Sequence, residues 1–362
     1  MNLQEYKNII KNTIYMDIPN YLKQKLINEI KENNVGKYGT KEIDGIVKLT
    51  GMADHNERIN TCLDRNNLTI KLFDLLEIKR GYRYSILYKY DNIDFNEFKE
   101  KISSEAINID SEYYDNYEEK DIKVNSIQYY EDKEHFFIKF HKSIYEIDKK
   151  TIEKKYLRYP ILFVFHKNIN LFEVRFDRLA YDADYSFYYN TMNARLLQLK
   201  SIFNFEYEYF DIETTIREIV ENYRGYVKEI IWSFETAKSK GLTLRVGEDG
   251  IMPFIGDLEP LVKSLRNKYN NDNNVEECLS EIEDYIEQTK RFANEKFRIL
   301  SWLKLKNNGE NLDKSIDLKI IFNYYKKGFA LLNIYDNEIN DMERIDHVIR
   351  FIGEIAKDIG EL

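Results

Sequence analysis

PILFVFHKNINLFEVRFDRL, from Pro160 to Leu179, decides the fold class. Two runs rich in aromatic and branched residues, Pro160 to His166 and Leu171 to Leu179, flank the short polar connection HKNIN. Such a pattern predicts an antiparallel hairpin. In the second run Phe172, Val174 and Phe176 share one parity, and Glu173, Arg175 and Asp177 share the other. One face is therefore expected in a core and the other at least partly wet.

Upstream, Ile122 to Tyr130, His135 to His141 and Ser143 to Ile147 have the same strand composition. Downstream, long helices are expected from Ala183 to Phe203 and from Ile212 to Lys238, with Arg224-Gly225 as a break. The cluster of glycine and proline from Gly241 to Leu261 predicts short strands and turns before a helix near Asp257. A helix over Val275 to Phe292 follows, then strands over Phe297 to Lys306, Ile316 to Tyr325 and Phe329 to Tyr335. In the terminal helix, Asn340 to Ile359, the stripe Met342, Ile345, Ile349, Ile352, Ala356 and Ile359 predicts packing on its own sheet, with a dimer seam as the alternative. Before the sheet the pattern is helical. Leu22, Leu26, Ile27 and Ile30 form one helix face after Pro19, and helices are expected over Lys41 to Leu49, Asn56 to Leu63 and Asp94 to Ser104, with a strand over Gly81 to Tyr90. Segregated helices and antiparallel strands make the expected class α+β. The acidic segment Asn108 to Asp121 marks a boundary, giving expected domains 1–107, 122–240 and 241–362.

The 362 residues carry 54 Lys and Arg against 63 Asp and Glu, a net charge of −9. That balance argues against a protein coating nucleic acid through a general positive field. The charge is uneven, however: residues 1–90 hold 15 basic against 11 acidic side chains, net +4, and the rest is −13. The N-terminal part is the better candidate for phosphate contact. The 29 Tyr and 21 Phe, set against 4 Pro, resemble the product of an AT-rich coding sequence, so aromatic abundance alone is weak evidence for binding. Cys62 and Cys278 are too far apart in sequence to suggest a disulfide framework or a metal-ligand spacing. No secretory h-region and no run of about 18 apolar residues occurs, so a cytoplasmic location without membrane partners is expected.

Catalytic signatures are sparse. His135, His141 and His166 with Glu173 and Asp177 place acid–base groups on strands, and Glu173 and Asp177 are the carboxylates to consider if the chain is a hydrolase. His135 and His141, six residues apart on one strand, lie about 20 Å apart and cannot share an ion. Glu77-Ile78-Lys79 and Glu97-Phe98-Lys99 match a nuclease tripeptide without an acidic strand upstream. Gly247 to Gly250 sits beside two acids and fits a tight turn better than a phosphate cradle. No cofactor and no metal are expected.

The N-terminal pattern carries a resemblance. Ile43, Ile46 and Val47 fall in a first expected helix, Thr50-Gly51 at its end, Ile59 and Leu63 in a second, and Lys79-Arg80-Gly81-Tyr82-Arg83 follows before a strand. Residues 41–90 resemble a winged-helix or helix-turn-helix module. In such a module the second helix reads a groove and the basic wing contacts phosphates. The resemblance implies duplex nucleic acid as partner, with Arg58, Arg65, Lys79, Arg80 and Arg83 as contacts. The same pattern also fits a small helical domain with one turn glycine. The acidic, aromatic-rich remainder is expected to hold a protein partner or to self-associate. The expected function is nucleic-acid binding without catalysis, in a setting such as a bacterial mobile-element or phage-defence system. The alternatives are an adaptor subunit without nucleic-acid contact and a divergent metal-dependent hydrolase.

Overall fold

The computed structural model describes residues 2–39, 41, 43–91, 93–109, 127–179, 185–235, 241–245, 255–269, 273–291, 294–303, 306–307, 310–311, 315–334 and 343–362. Most of the acidic segment Asn108 to Asp121, the Gly247 to Gly250 turn and Met342 lie outside them. The chain divides into two compact units, Met1–Glu208 with Glu338–Glu343, and Tyr209–Asn337 with Arg344–Leu362. The class is α+β.

The first unit begins with helices α1 (Leu3–Met16) and α2 (Asn20–Glu32), two-residue strands β1 (Gly36–Lys37) and β2 (Val47–Lys48), then α3 (His55–Arg65) and α4 (Leu68–Lys79). Ile10, Ile14, Leu26, Ile27, Ile30, Ile59 and Leu63 lock these helices into one core. Asp54 caps α3, its carboxylate accepting from the Glu57 amide at 2.9 Å. Between β1 and β2 the expected helix over Lys41 to Leu49 does not form. Gly45 there has φ +75°, a conformation that ends any helix, and Ile43 is exposed rather than part of a buried stripe. The segment instead loops out and returns, pairing β2 with β1 in parallel. Gly36 is required at that approach, because a Cβ would stand 2.9 Å from Ile30 Cγ2.

Next come β3 (Tyr84–Tyr90), α5 (Phe95–Ser103), β4 (Ala106–Asn108), β5 (Ile127–Glu131), β6 (His135–Ile147), β7 (Lys154–His166), β8 (Leu171–Phe176) and α6 (Tyr185–Phe203). The strands run in the order β3-β8-β7-β6-β5-β4, antiparallel except for β4 with β5. The two expected strands over His135 to Ile147 are one strand, paired along its whole length with β7. The hairpin Pro160 to Leu179 forms as β7 and β8.

Direct cross-strand partners share a face. Phe136 opposes Phe165, Phe165 opposes Phe172 and Phe172 opposes Tyr88, which makes one face aromatic. Phe98 of α5 and Phe203 of α6 stack above it. The opposite face carries Lys139, His141, Arg158, His166, Glu173 and Arg175, where solvent was expected. Glu173 and Arg175 are fully buried, because Asp74, Glu77 and Ile78 of α4 pack over that face. Strand alternation is correct here, but polarity does not mark the wet side, since the covering helix is itself charged.

The second unit contains α7 (Glu213–Asn222), β10 (Val227–Glu235), β11 (Gly241–Arg245), α8 (Ile255–Lys268), α9 (Asn273–Arg291), β12 (Asn294–Trp302), the small pair β13 (Lys306–Asn307) and β14 (Glu310–Asn311), β15 (Ile316–Ile321), β16 (Leu331–Ile334) and α10 (Glu343–Asp358); β9 (Tyr207–Tyr209) precedes α7. Its antiparallel order is β11-β10-β12-β15-β16. The helix expected over Ile212 to Lys238 ends at Asn222. After Arg224-Gly225 the run VKEIIWSFE is β-branched and aromatic, and it pairs with β12. In α10, Ile345, Ile349, Ile352 and Ala356 are buried and Phe351 meets Trp302 edge-on, so the stripe is used within the unit. No helix among the described residues is long and apolar enough to cross a membrane.

Candidate functional site

Two polar assemblies in the first unit could carry chemistry: one closed, one open. The closed one is built where α4 lies on the polar face of β6 and β7. Asp74 and Glu77, one helical turn apart, face Lys139 and His141, two residues apart on β6, and Arg158 on β7. Lys139 Nζ lies 2.9 Å from Glu77 Oε2 and 3.3 Å from Asp74 Oδ1. The Arg158 guanidinium spans both acids, at 2.9 Å from Asp74 Oδ1 and 2.8 Å from Glu77 Oε2, and also donates to the Tyr6 hydroxyl. His141 Nε2 is 3.1 Å from Glu77 Oε2, and Gln128 donates to Asp74 Oδ2 at 3.0 Å. All five ionisable side chains are buried.

Asp74, Glu77 and His141 bring three possible ligand atoms within 4.8 Å of one another. The donors already there decide the chemistry. Lys139 and Arg158 neutralise the two carboxylates, so an entering dication would have to displace both cations. Burial alone would raise the Glu77 carboxyl, but Arg158 and Lys139 outweigh it and hold Glu77 well below the carboxylate range. Burial and the Arg158 charge push His141 down to about 4, so at neutral pH it is an uncharged donor to Glu77.

Both shifts act in one direction. An unfolded chain protonates His141 from its ordinary 6.5, whereas the folded one waits until about 4, so stability is lost as pH falls across that window. Glu77 adds a further loss below its unfolded value of 4.5. His141→Gln keeps an N–H toward Glu77, and it is expected to remove about 3 kcal/mol of the loss between pH 6.5 and 4. Urea midpoints of wild type and variant across that range check this; parallel profiles would contradict it.

Glu173 and Asp177 do not share a site. Glu173 accepts from His166 Nε2 at 2.7 Å, Arg175 at 2.5 Å and the Ser85 hydroxyl at 2.6 Å. His135 meets the edge of His166, while His141 belongs to the Glu77 cluster. Asp177 holds Arg80 at 2.6 Å and accepts from the Arg83 amide at 2.9 Å. Arg80 is therefore buried, with its guanidinium 4.3 Å from the Tyr82 ring centre, while Lys79 and Arg83 are exposed. The segment Lys79 to Arg83 does not present its three cations together, because Asp177 draws Arg80 inward. Arg65 is exposed at the end of α3.

Arg58 leads to the open assembly. Its guanidinium lies 5.6 Å from the ring centre of Tyr38, with Lys31 Nζ at 5.8 Å. Tyr38 borders a cleft of about 300 Å³ lined by Lys37, Tyr38, Gly39, Lys41, Ile43, Ile46, Val47 and Lys48. The β1–β2 excursion creates it. Three ammonium groups and an exposed ring meet there, and among the described residues the lining holds no carboxylate. Among the described residues none of the three lysines forms an ion pair. Sequence reasoning missed this cleft because the segment reads as a helix; the lysine spacing alone was the available signal.

No protein-family model matches the sequence, and no curated protein matches it.

Proposed function

We propose that this protein binds duplex nucleic acid without catalysis, through the basic cleft of its first unit. The cleft carries the proposal: Lys37, Lys41 and Lys48 surround Tyr38, with Arg58 and Lys31 against the ring. Exposed ammonium groups attract phosphates by releasing counterions, and a flat ring beside them packs on sugar or base. The location agrees with the +4 charge of residues 1–90 within a chain of −9. The acids and bases of the α4–β6–β7 cluster are buried and neutralise one another, so they are built into the core rather than offered to a ligand. Fluorescence anisotropy of a labelled duplex titrated with the full chain tests it, and affinity that ignores salt, or no binding, would end it.

A second surface suits a protein partner. In the α8–α9 hairpin Leu261, Ile282 and Tyr285 are exposed beside the acids of α9. Exposed apolar groups next to charge fit an interface rim and core. We assign self-association to this hairpin; light scattering that finds a monomer at every concentration would remove it. The proposed compartment is the reducing cytoplasm, in keeping with the free thiols of Cys62 and Cys278.

A further inference from the structure

The β6–β7 hairpin runs out alongside the end of α1. The Asn12 side chain donates to the Tyr156 carbonyl at 3.2 Å, the Arg158 amide donates to the Thr13 hydroxyl at 2.9 Å, and the Tyr15 ring lies 5.2 Å from Lys155 Nζ and 5.6 Å from Lys150 Nζ, so α1 flanks one side of the hairpin end. That end comprises the pairs Tyr145↔Tyr156, Glu146↔Lys155 and Ile147↔Lys154 and then a turn. By strand rise this end is about 10 Å long before the turn.

The turn is well made. The Ile152 amide donates to the Asp148 carbonyl at 2.7 Å and the Asp148 amide to the Glu153 carbonyl at 2.9 Å. The Asp148 carboxylate accepts from the Lys150 amide and pairs with Lys155 at 2.5 Å. At the last position of its loop, after Lys149, Lys150 and Thr151, Ile152 has φ +59° and is 82% exposed. Glycine or asparagine takes that conformation readily; a β-branched residue does so under strain. Stability supplies no reason for an isoleucine here, because its side chain is strained and packs on almost nothing. Strain of this kind is retained where the displayed group is used.

What surrounds Ile152 indicates the use. Lys149, Lys150 and Lys154 are exposed around it, opposed by exposed Glu153, while Lys155 is spent on Asp148. Below them Tyr145 and Tyr156 are half exposed, with Lys154 Nζ 3.7 Å from the Tyr145 ring centre. An exposed apolar side chain in the end loop of a narrow two-stranded ribbon, with cations around it, has the form of a wedge that enters a groove and separates a base step.

We infer that the β6–β7 hairpin inserts Ile152 between base pairs of duplex DNA from the minor groove and kinks it, with Lys149, Lys150 and Lys154 on the flanking phosphates. The inference rests on the proposed duplex binding and deepens it: one surface holds the backbone, the other deforms the helix. Unstacking a step costs energy, which the added phosphate contacts offset.

The test uses the full chain and an A·T-rich duplex of about 30 base pairs with a dye at each end, read by energy transfer. Wild type is expected to raise the transfer by bringing the ends together. Ile152→Gly and Ile152→Asn, which accept φ +59° without strain, are expected to melt no lower than wild type. They are expected to lose at least about half of the rise while affinity stays within about threefold. Binding without any rise, or an undiminished rise in both variants, overturns the wedge alone. Absence of all binding overturns the proposed function and the wedge together. Ile152-dependent sedimentation with phosphatidylserine vesicles, without duplex bending, also overturns the wedge and assigns the tip to an anionic bilayer.

Discussion

Glu77→Gln is expected to destabilise the protein by about 3–5 kcal/mol, a large share of the stability of a typical domain. The side chain keeps its shape, so no cavity forms. What changes is charge: Asp74 alone then faces the buried Lys139 and Arg158, and a net positive charge is left without solvent. Lys139→Met alone reverses the imbalance, leaving two carboxylates against Arg158. The double variant restores neutrality between Asp74 and Arg158, and should lose less than the sum of the two singles. Urea unfolding of the four proteins measures this. Additive losses, or a Glu77→Gln cost below about 1 kcal/mol, would mean that the cluster is not a coupled ionic core.

The aromatic face answers to a different force. Phe172 is fully buried, its ring 4.9 Å from Tyr88 and 4.8 Å from Phe165, with Phe205 and Tyr207 edge-on at 6.0 Å. Phe172→Ala removes that ring from three strands' worth of neighbours and is expected to cost about 3–5 kcal/mol. Phe172→Leu keeps much of the volume and should cost roughly 1–2 kcal/mol. Neither loss should change with salt, in contrast to binding by the cleft. Thermal denaturation of both variants checks the ranking; equal costs would show that ring stacking and volume do not govern this face.

The two faces show how far sequence carried the fold. Period-two alternation in PILFVFHKNINLFEVRFDRL placed Phe172 and Glu173 on opposite faces correctly, because the pleat alone dictates it. It did not reveal that the polar face is buried. That depends on Asp74 and Glu77 in a helix some hundred residues earlier in the chain, a pairing that no local pattern encodes. The run TKEIDGIVKL failed for a local reason: Ile43, Ile46 and Val47 have helical spacing, but Gly45 adopts φ +75° between them. The same error hid the cleft. Of the expected contact residues, Arg58 lies beside it, whereas Arg80 is withdrawn by Asp177, a carboxylate that sequence places on another strand. The run after Gly225 reads as helix because apolar residues of a buried strand recur at spacings a helix also allows.

The most direct test compares the salt dependence of duplex binding by wild type and by a variant carrying Lys37→Ala, Lys41→Ala and Lys48→Ala. Each lysine that neutralises a phosphate adds about 0.9 to the slope of log affinity against log salt. The variant should therefore bind more weakly, with a slope shallower by roughly 2–3, while its melting temperature barely moves because exposed charges contribute little to folding. An unchanged slope in a folded variant would contradict the account and place any nucleic-acid contact elsewhere.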